Sequence, residues 1–295
     1  MTALNTTQHN RVRRPRLSTP VLSRFGAGLS YLVLIFLTVF GLLPVVVMIA
    51  TSFKPADQIF RLPATLLPSS PTLTNYVNVF TSSDMPRAIG NSVLAALLTA
   101  LITILLGGTA GYAIARIRFR GTGPISIGLL LGQLLPVTVL LLPLFKLVSS
   151  MGVLDTIPGV VITHLTIVLP LVTWMATSTV RSVPVELEEA AMIDGCTRLR
   201  AVRTVVLPVA APGIVALGIF SFLQSWNEFV FASVVSRSMS SRTAPVALTD
   251  FAGQFQVDWG ATMAAATVIS LPITIVFLLV QRYFIQGMSA GAVKG

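Results

Sequence analysis

Charge is what this chain has least of. Of its 295 residues only 10% are Asp, Glu, Lys or Arg, and the acids number 10 against 20 bases. A soluble domain usually carries about 25% charged residues, so this chain lacks the polar surface it would need in water. Cysteine occurs once, at Cys196, which rules out an internal disulfide and fits no metal spacing. A phosphate-binding Gly-x4-Gly-Lys-Ser/Thr loop is also missing, so this chain is not an ATPase of that type.

What is abundant is apolar surface: 54% of the residues are hydrophobic and the mean hydropathy is +0.85. A helix needs roughly 20 apolar residues to cross about 30 Å of hydrocarbon. Six stretches qualify, at about 27–53, 89–115, 124–145, 158–180, 208–232 and 262–281. The first carries no charge and is too long for the apolar core of a cleaved signal peptide; it reads as a retained anchor. These counts predict an all-α integral membrane protein of six transmembrane helices.

The net charge of +10 raises the question of a nucleic-acid partner, and its distribution answers it. Arg11, Arg13, Arg14, Arg16 and Arg24 precede the first span, and Arg116, Arg118 and Arg120 mark the turn after the second. With the N-terminus in the cytosol, the inner segments hold 14 of the Lys and Arg and the outer loops 6. This positive-inside bias predicts N-in, C-in topology and no nucleic-acid partner. The domain reading is a basic cytosolic tail at 1–26, a transmembrane domain at 27–285 and a cytosolic C-terminal tail at 286–295. Segment 54–88, with five prolines, reads as a folded, turn-rich external cap, and the Ser-rich stretch near 233–261 as a second external segment. Gly107, Gly108, Gly111, Pro136, Pro143, Pro170, Pro212 and Gly213 interrupt the spans. Close helix packing accounts for such residues; so do hinges beside a pathway.

The segment 181–207, between the fourth and fifth spans, is far longer than the other inner turn at 117–123. Pro184 suits a first helical turn, and Glu186, Glu188 and Glu189 load that turn with the charge its dipole favours. Gly195 is placed as a left-handed cap, and Thr197 can cap a second short helix carrying Arg198, Arg200 and Arg203. The expectation is two short helices joined at a glycine elbow, with Ala190 and Ala191 presenting a smooth face to another protein. A solvated connecting loop is the alternative.

Glu189-Ala190-Ala191, Gly195, and then Val205-Val206-Leu207-Pro208 after nine residues resemble the EAA motif of ABC importer permeases, E-A-A-x3-G-x9-I-x-L-P, with Val205 standing for Ile. Ser52-Phe53-Lys54, Pro71 to Tyr76, Asn91-Ser92, Gly111 to Arg116, Pro143 to Thr156 and Phe220 to Phe229 are similar to the shorter permease subunit of maltose-type, carbohydrate-uptake importers. The resemblance spans nearly the whole chain. It implies that 181–207 is a coupling helix docking on a cytosolic ATPase, with Glu189, Ala190, Ala191, Asp194, Gly195, Leu207 and Pro208 as the coupling residues. It further implies a second, different permease, an ATPase dimer that holds ATP and Mg, and an extracytoplasmic solute-binding protein. The chain itself would carry no cofactor, no metal and no catalytic residue, and would sit in a bacterial or archaeal cytoplasmic membrane, moving a sugar inward by alternating access. A permease for glycerol-phosphate or another polar solute stays open, as does, more distantly, an ion-coupled secondary transporter.

Within the spans, Glu228 is the only carboxylate, and an intramembrane charge is costly enough to suggest function. With Gln224, Trp226 and Asn227 it forms a polar and aromatic stretch suited either to lining a sugar path or to holding an outer gate. Asn91 and Gln133 are open between pathway lining and interhelical hydrogen bonding. His164 has no acid in its own helix and reads as a neutral, hydrogen-bonded packing residue rather than a proton carrier.

Overall fold

The computed structural model describes residues 20–117, 119–251 and 257–292, with side chains described from Gly28 onward and, beyond Leu279, at Gln281. Most of the basic tail and Arg118 therefore lie outside the described residues, as do the side chains of Arg24 and Arg282. The chain divides into two units, 1–47 and 48–295. In the first, α1 (Pro20–Ser52) begins; its side chains from Gly28 to Val47 are all exposed. A run of Leu, Val, Ile and Phe of this length and composition suffices to cross a membrane.

The second unit is helical, and no β-strand occurs among the described residues. The last turn of α1 leads to α2 (Ala56–Ile59), α3 (Thr74–Thr81), α4 (Met85–Ile102) and, through a π-helical segment Thr103–Gly107, α5 (Gly108–Arg116). Then come α6 (Thr122–Gly132), α7 (Val137–Ser150), α8 (Ile157–Arg181), α9 (Val185–Ile193) and α10 (Arg198–Ala201). A second π segment, Val202–Val206, feeds α11 (Leu207–Trp226), followed by α12 (Val230–Val235), α13 (Ala244–Ala247) and α14 (Trp259–Ala292). Among the described residues, five helical stretches are long and apolar enough to span a membrane, or six if a bent pair counts as one.

That bent pair is where the structure departs most from the sequence expectation. The third span is not one straight helix over 124–145: α6 and α7 meet at 103°. Pro136, at the N-cap of α7 with φ −59° and ψ 129°, has no N–H to continue the ladder and forces Leu135 away from helical geometry. The fifth span also ends sooner than 232. α11 stops at Trp226, and Glu228 falls in the break before α12.

Three spans are packed together by small residues. A Cβ on Gly111 would lie 2.7 Å from Ala176 Cβ and 2.9 Å from the Thr177 backbone nitrogen, so α5 and α8 approach at a distance only glycine permits. Val168, Val172, Ala176 and Leu217 then form a buried cluster between α8 and α11. The proline-rich 54–84 segment is ordered by its own polar groups: Lys54 donates to the Thr65 carbonyl, and Gln58 bonds Ser69 and Ser70. Val79 of α3, Met85 and Ala88 of α4, Ala244 and Ala247 of α13, and Ala261, Ala264 and Ala265 of α14 share one core.

Candidate functional site

The segment after α8 is built on glycine and a carboxylate. Pro184 is the N-cap of α9, not a residue of its first turn (φ −56°, ψ 133°). α9 ends at Gly195, whose φ of +91° is the left-handed conformation glycine adopts without strain. The Gly195 N–H donates to the Met192 carbonyl and the Cys196 N–H to the Ala191 carbonyl (3.1 and 3.0 Å), which is the Schellman closure of a helix end. The Thr197 hydroxyl accepts from the Arg200 N–H at 3.4 Å to open α10. α10 is not a separate short helix, however. It continues through the π segment into α11 as one stretch from Arg198 to Trp226. Pro208, unable to donate to the Thr204 carbonyl and sterically opposed to it, gives a reason for the widened turn.

Two faces of α9 differ sharply. Glu189, Ala190, Ile193 and Asp194 are exposed, together with Gly195, Leu199, Leu207 and Pro208, while Ala191 is half-buried. Leu187, Ile193 at 86% exposure and Leu199 leave apolar surface bare beside these acids, an unusual amount for a merely solvated connector. Glu188 points the other way and is 2% exposed. Its carboxylate accepts from the Tyr112 hydroxyl and from Arg116 Nε (3.1 Å). Arg116 Nη2 also donates to the carbonyls of Val183 (2.6 Å) and Val180 (3.1 Å), and Arg198 Nε stands 4.0 Å from the same carboxylate at the rim. The last turn of α5 therefore grips both the end of α8 and the underside of α9.

A second polar set runs through the packed spans. Thr103 donates to Ser221 (2.9 Å), Ser225 to Thr99 (3.4 Å), and His164 Nδ1 lies 2.7 Å from Ser225 Oγ. His164 Nε2 is 3.1 Å from Glu228 Oε2, near enough to pair but out of line for a hydrogen bond. The acid that His164 lacks in its own helix thus comes from another element. Glu228 also accepts from the N–H groups of Phe231 and Ala232 (2.8 and 3.0 Å), capping α12, and this capping explains why it leaves the span.

The other polar residues do not gather into one patch. Trp226 is buried at 1% exposure and stacks on Phe222 with ring centroids 5.8 Å apart. Gln224 and Asn227 are exposed, and Asn227 bonds the Leu223 carbonyl. Asn91 donates to the carbonyls of Met239 and Arg242 (3.3 and 2.9 Å), tying α4 to the Ser-rich segment. Gln133, at the α6–α7 break, donates to the Ile167 carbonyl of α8 (3.0 Å).

Sequence reasoning passed over Tyr112, Thr99, Thr103, Ser221, Ser225 and Asp155. Asp155, with φ 61°, accepts from the N–H groups of Arg237 and Ser238 (2.7 and 2.8 Å) and from the Ser241 hydroxyl. Burial raises its pKa, but these donors outweigh burial and leave the carboxyl well below the ordinary carboxylate range.

Residues 104–290 match the family described as the binding-protein-dependent transport system inner membrane component. The chain is 34% identical to the inner membrane ABC transporter permease protein YcjP of Escherichia coli (strain K12), over 93% of this chain and 98% of that one. It is 36% identical to the trehalose transport system permease protein SugB of Mycobacterium tuberculosis (strain CDC 1551 / Oshkosh), over 87% and 93%. In fold it is similar to a chain of a bacterial ABC transporter involved in the import of the acidic polysaccharide alginate, with a TM-score of 0.75, 20% identity and coverage of 92% of this chain and 100% of that one.

Proposed function

The chain belongs to the family of binding-protein-dependent transport system inner membrane components, and from that premise we propose that it is the permease subunit of a sugar importer whose ATPase docks on the 181–207 segment. The observation that carries this reading is the two-faced α9. It presents Glu189, Ala190, Asp194, Gly195 and bare apolar side chains outward while Glu188 fastens its underside to the membrane helices. A sugar as solute is supported by relatives such as the trehalose permease of M. tuberculosis; a glycerol-phosphate-type solute is the alternative within the same class.

In this reading both termini and the 181–207 segment face the cytosol of a bacterial or archaeal cell. ATP and Mg sit on a partner ATPase dimer, and a second permease and an extracytoplasmic binding protein complete the importer. Glu189 and Asp194 supply polar contacts to the ATPase, Ala190 and Ala191 a close-fitting face, and Leu207 and Pro208 the entry to the fifth span. Closure of the ATPases on ATP moves α9, and with it α5 and α8, so the pathway opens alternately outward and inward. Among the pathway and gate candidates, the burial of Trp226 and the pairing of Glu228 with His164 favour the gate, while exposed Gln224 and Asn227 favour the path. Gln133 ties the α6–α7 break to α8, and Asn91 ties α4 to the segment before α13.

The single cysteine allows a direct test of orientation. A membrane-impermeant maleimide added to inside-out vesicles labels Cys196, whereas added to intact spheroplasts it does not. Labelling from the outside of intact cells refutes the orientation. The transport assignment is tested by reconstitution: the chain alone gives no uptake, and solute flux driven by a proton gradient alone points to a secondary transporter instead.

A further inference from the structure

An open groove of about 640 Å³ lies where two spans end on the side of the 181–207 segment. Arg116, the last residue of one span, and Arg181, the last of another, line it together with Arg120 of the turn between α5 and α6. Among the described residues, no carboxylate lines it. Arg116 is already held by Glu188 and two carbonyls, but neither Arg120 nor Arg181 makes an ion pair among the described residues. Ile117 and Phe119, also lining the groove, are 43% and 41% exposed.

Unpaired guanidinium groups in a recess favour an anion that accepts from more than one N–H, as a phosphate does. Two features choose between kinds of phosphate. The groove stands at the level where the spans end, which is the headgroup region of a bilayer, and its rim pairs the cations with bare apolar side chains. A free phosphate uses only the cations, whereas a phospholipid uses both. We propose that this groove binds the phosphodiester of an anionic phospholipid, with Arg120 and Arg181 on the phosphate and Ile117 and Phe119 against the first acyl carbons. The orientation proposed above enters only in naming the cytoplasmic leaflet, where anionic lipid is concentrated. A lipid seated there touches Val185, at the start of α9, and so borders the coupling segment.

The test places the full chain in phosphatidylcholine nanodiscs with and without phosphatidylglycerol and counts retained lipid by native mass spectrometry. A surface cation contributes about fivefold in affinity for anionic lipid. R120Q or R181Q alone therefore lowers phosphatidylglycerol retention about fivefold, and the double variant roughly 25-fold. R120K/R181K keeps most of the retention and shows that the altered chains still fold. Equal retention by wild type and R120Q/R181Q overturns the proposal. Complete displacement of phosphatidylglycerol by inorganic phosphate overturns the lipid and leaves a free-anion site. A photo-crosslinker at position 120 that captures a protein instead of lipid in the assembled transporter overturns it in favour of a protein contact. None of these readouts depends on the Cys196 labelling that tests orientation.

Discussion

Removing Glu188 should free α9 from the membrane helices while leaving those helices folded. In Glu188→Ala the Tyr112 hydroxyl loses its acceptor and Arg116, whose side chain is 8% exposed, keeps only the two carbonyls of Val180 and Val183. Taking away one partner of a buried ion pair costs about 3–5 kcal/mol, because the other charge stays buried. Arg198, 55% exposed at 4.0 Å, adds less than about 1 kcal/mol. The cost falls on the joint between α9 and the end of α5, so the population of a detached segment rises. Limited tryptic cleavage at Arg198 and Arg200 follows that population when opening is fast. Its rate should then rise on the order of a hundred- to several-thousandfold, capped where the segment is open all the time. Glu188→Gln keeps two acceptor lone pairs but no charge and should fall between. Arg116→Met with Glu188→Met removes both charges together and should restore much of the protection. If Glu188→Ala changes cleavage less than about threefold, within the ordinary error of surface substitutions, in protein that elutes as wild type, the joint is not where α9 is held. Glu189→Ala, exposed on the other face, is the control that should leave cleavage unchanged and weaken ATPase association.

Three further outcomes follow from the same geometry. Gly195→Val, at φ +91° with open space around its Cα, should cost about 1–2 kcal/mol through the backbone alone; it should insert normally but lose solute-stimulated ATP hydrolysis, while Gly195→Asn retains most of it. Asp155 has a depressed pKa, so its stabilisation is present above the ordinary aspartate value of about 3.9 and is lost as pH falls through the lower folded value. Melting temperature against pH should therefore drop in acid for wild type, and Asp155→Asn should be less stable at neutral pH and flat across that acid window. Trp226→Ala empties a buried site and should cost about 3–5 kcal/mol. If Trp226 is a gate strut, the assembled transporter will hydrolyse ATP without binding protein, and unchanged basal hydrolysis with altered solute preference would return Trp226 to the pathway.

What could be read in the sequence was what the bilayer imposes. Span length and composition are set by the hydrocarbon, and the glycine that ends α9 and the threonine that caps α10 are local signals that need no partner. The departures are proline-dependent turns, capping events and non-local contacts. Pro136 was visible, but one proline in an apolar stretch does not distinguish a mild kink from the 103° turn between α6 and α7. Hydropathy averages over the apolar neighbours of Glu228 and so assigns it to a span. Its carboxylate instead captures the N–H groups of Phe231 and Ala232, a capping role that Glu takes less often than Asp, Asn, Ser or Thr. Nothing local says which of Glu186, Glu188 and Glu189 turns under the helix. Arg116, 72 residues away from Glu188 in sequence, decides it.

The two failures involving acids together explain how α8 can act as a strut. Near its first turns His164 faces Glu228 and Ser225; at its last turn the Val180 carbonyl is held by the same Arg116 that grips Glu188. Between these ends Gly111 lets α5 lie against Ala176, and Val172 and Leu217 close the contact with α11. Pro170 removes one hydrogen bond from the middle of α8, but buried polar contacts at both ends and close packing between them oppose bending there, because packed interiors shift between discrete arrangements rather than deform smoothly. Under the coupling proposed above, a displacement of α9 would be carried along α8 to the His164–Glu228 contact. On that proposal Glu188 and Glu228 stand at the two ends of one lever, and weakening either contact should uncouple the ends without unfolding the spans between them.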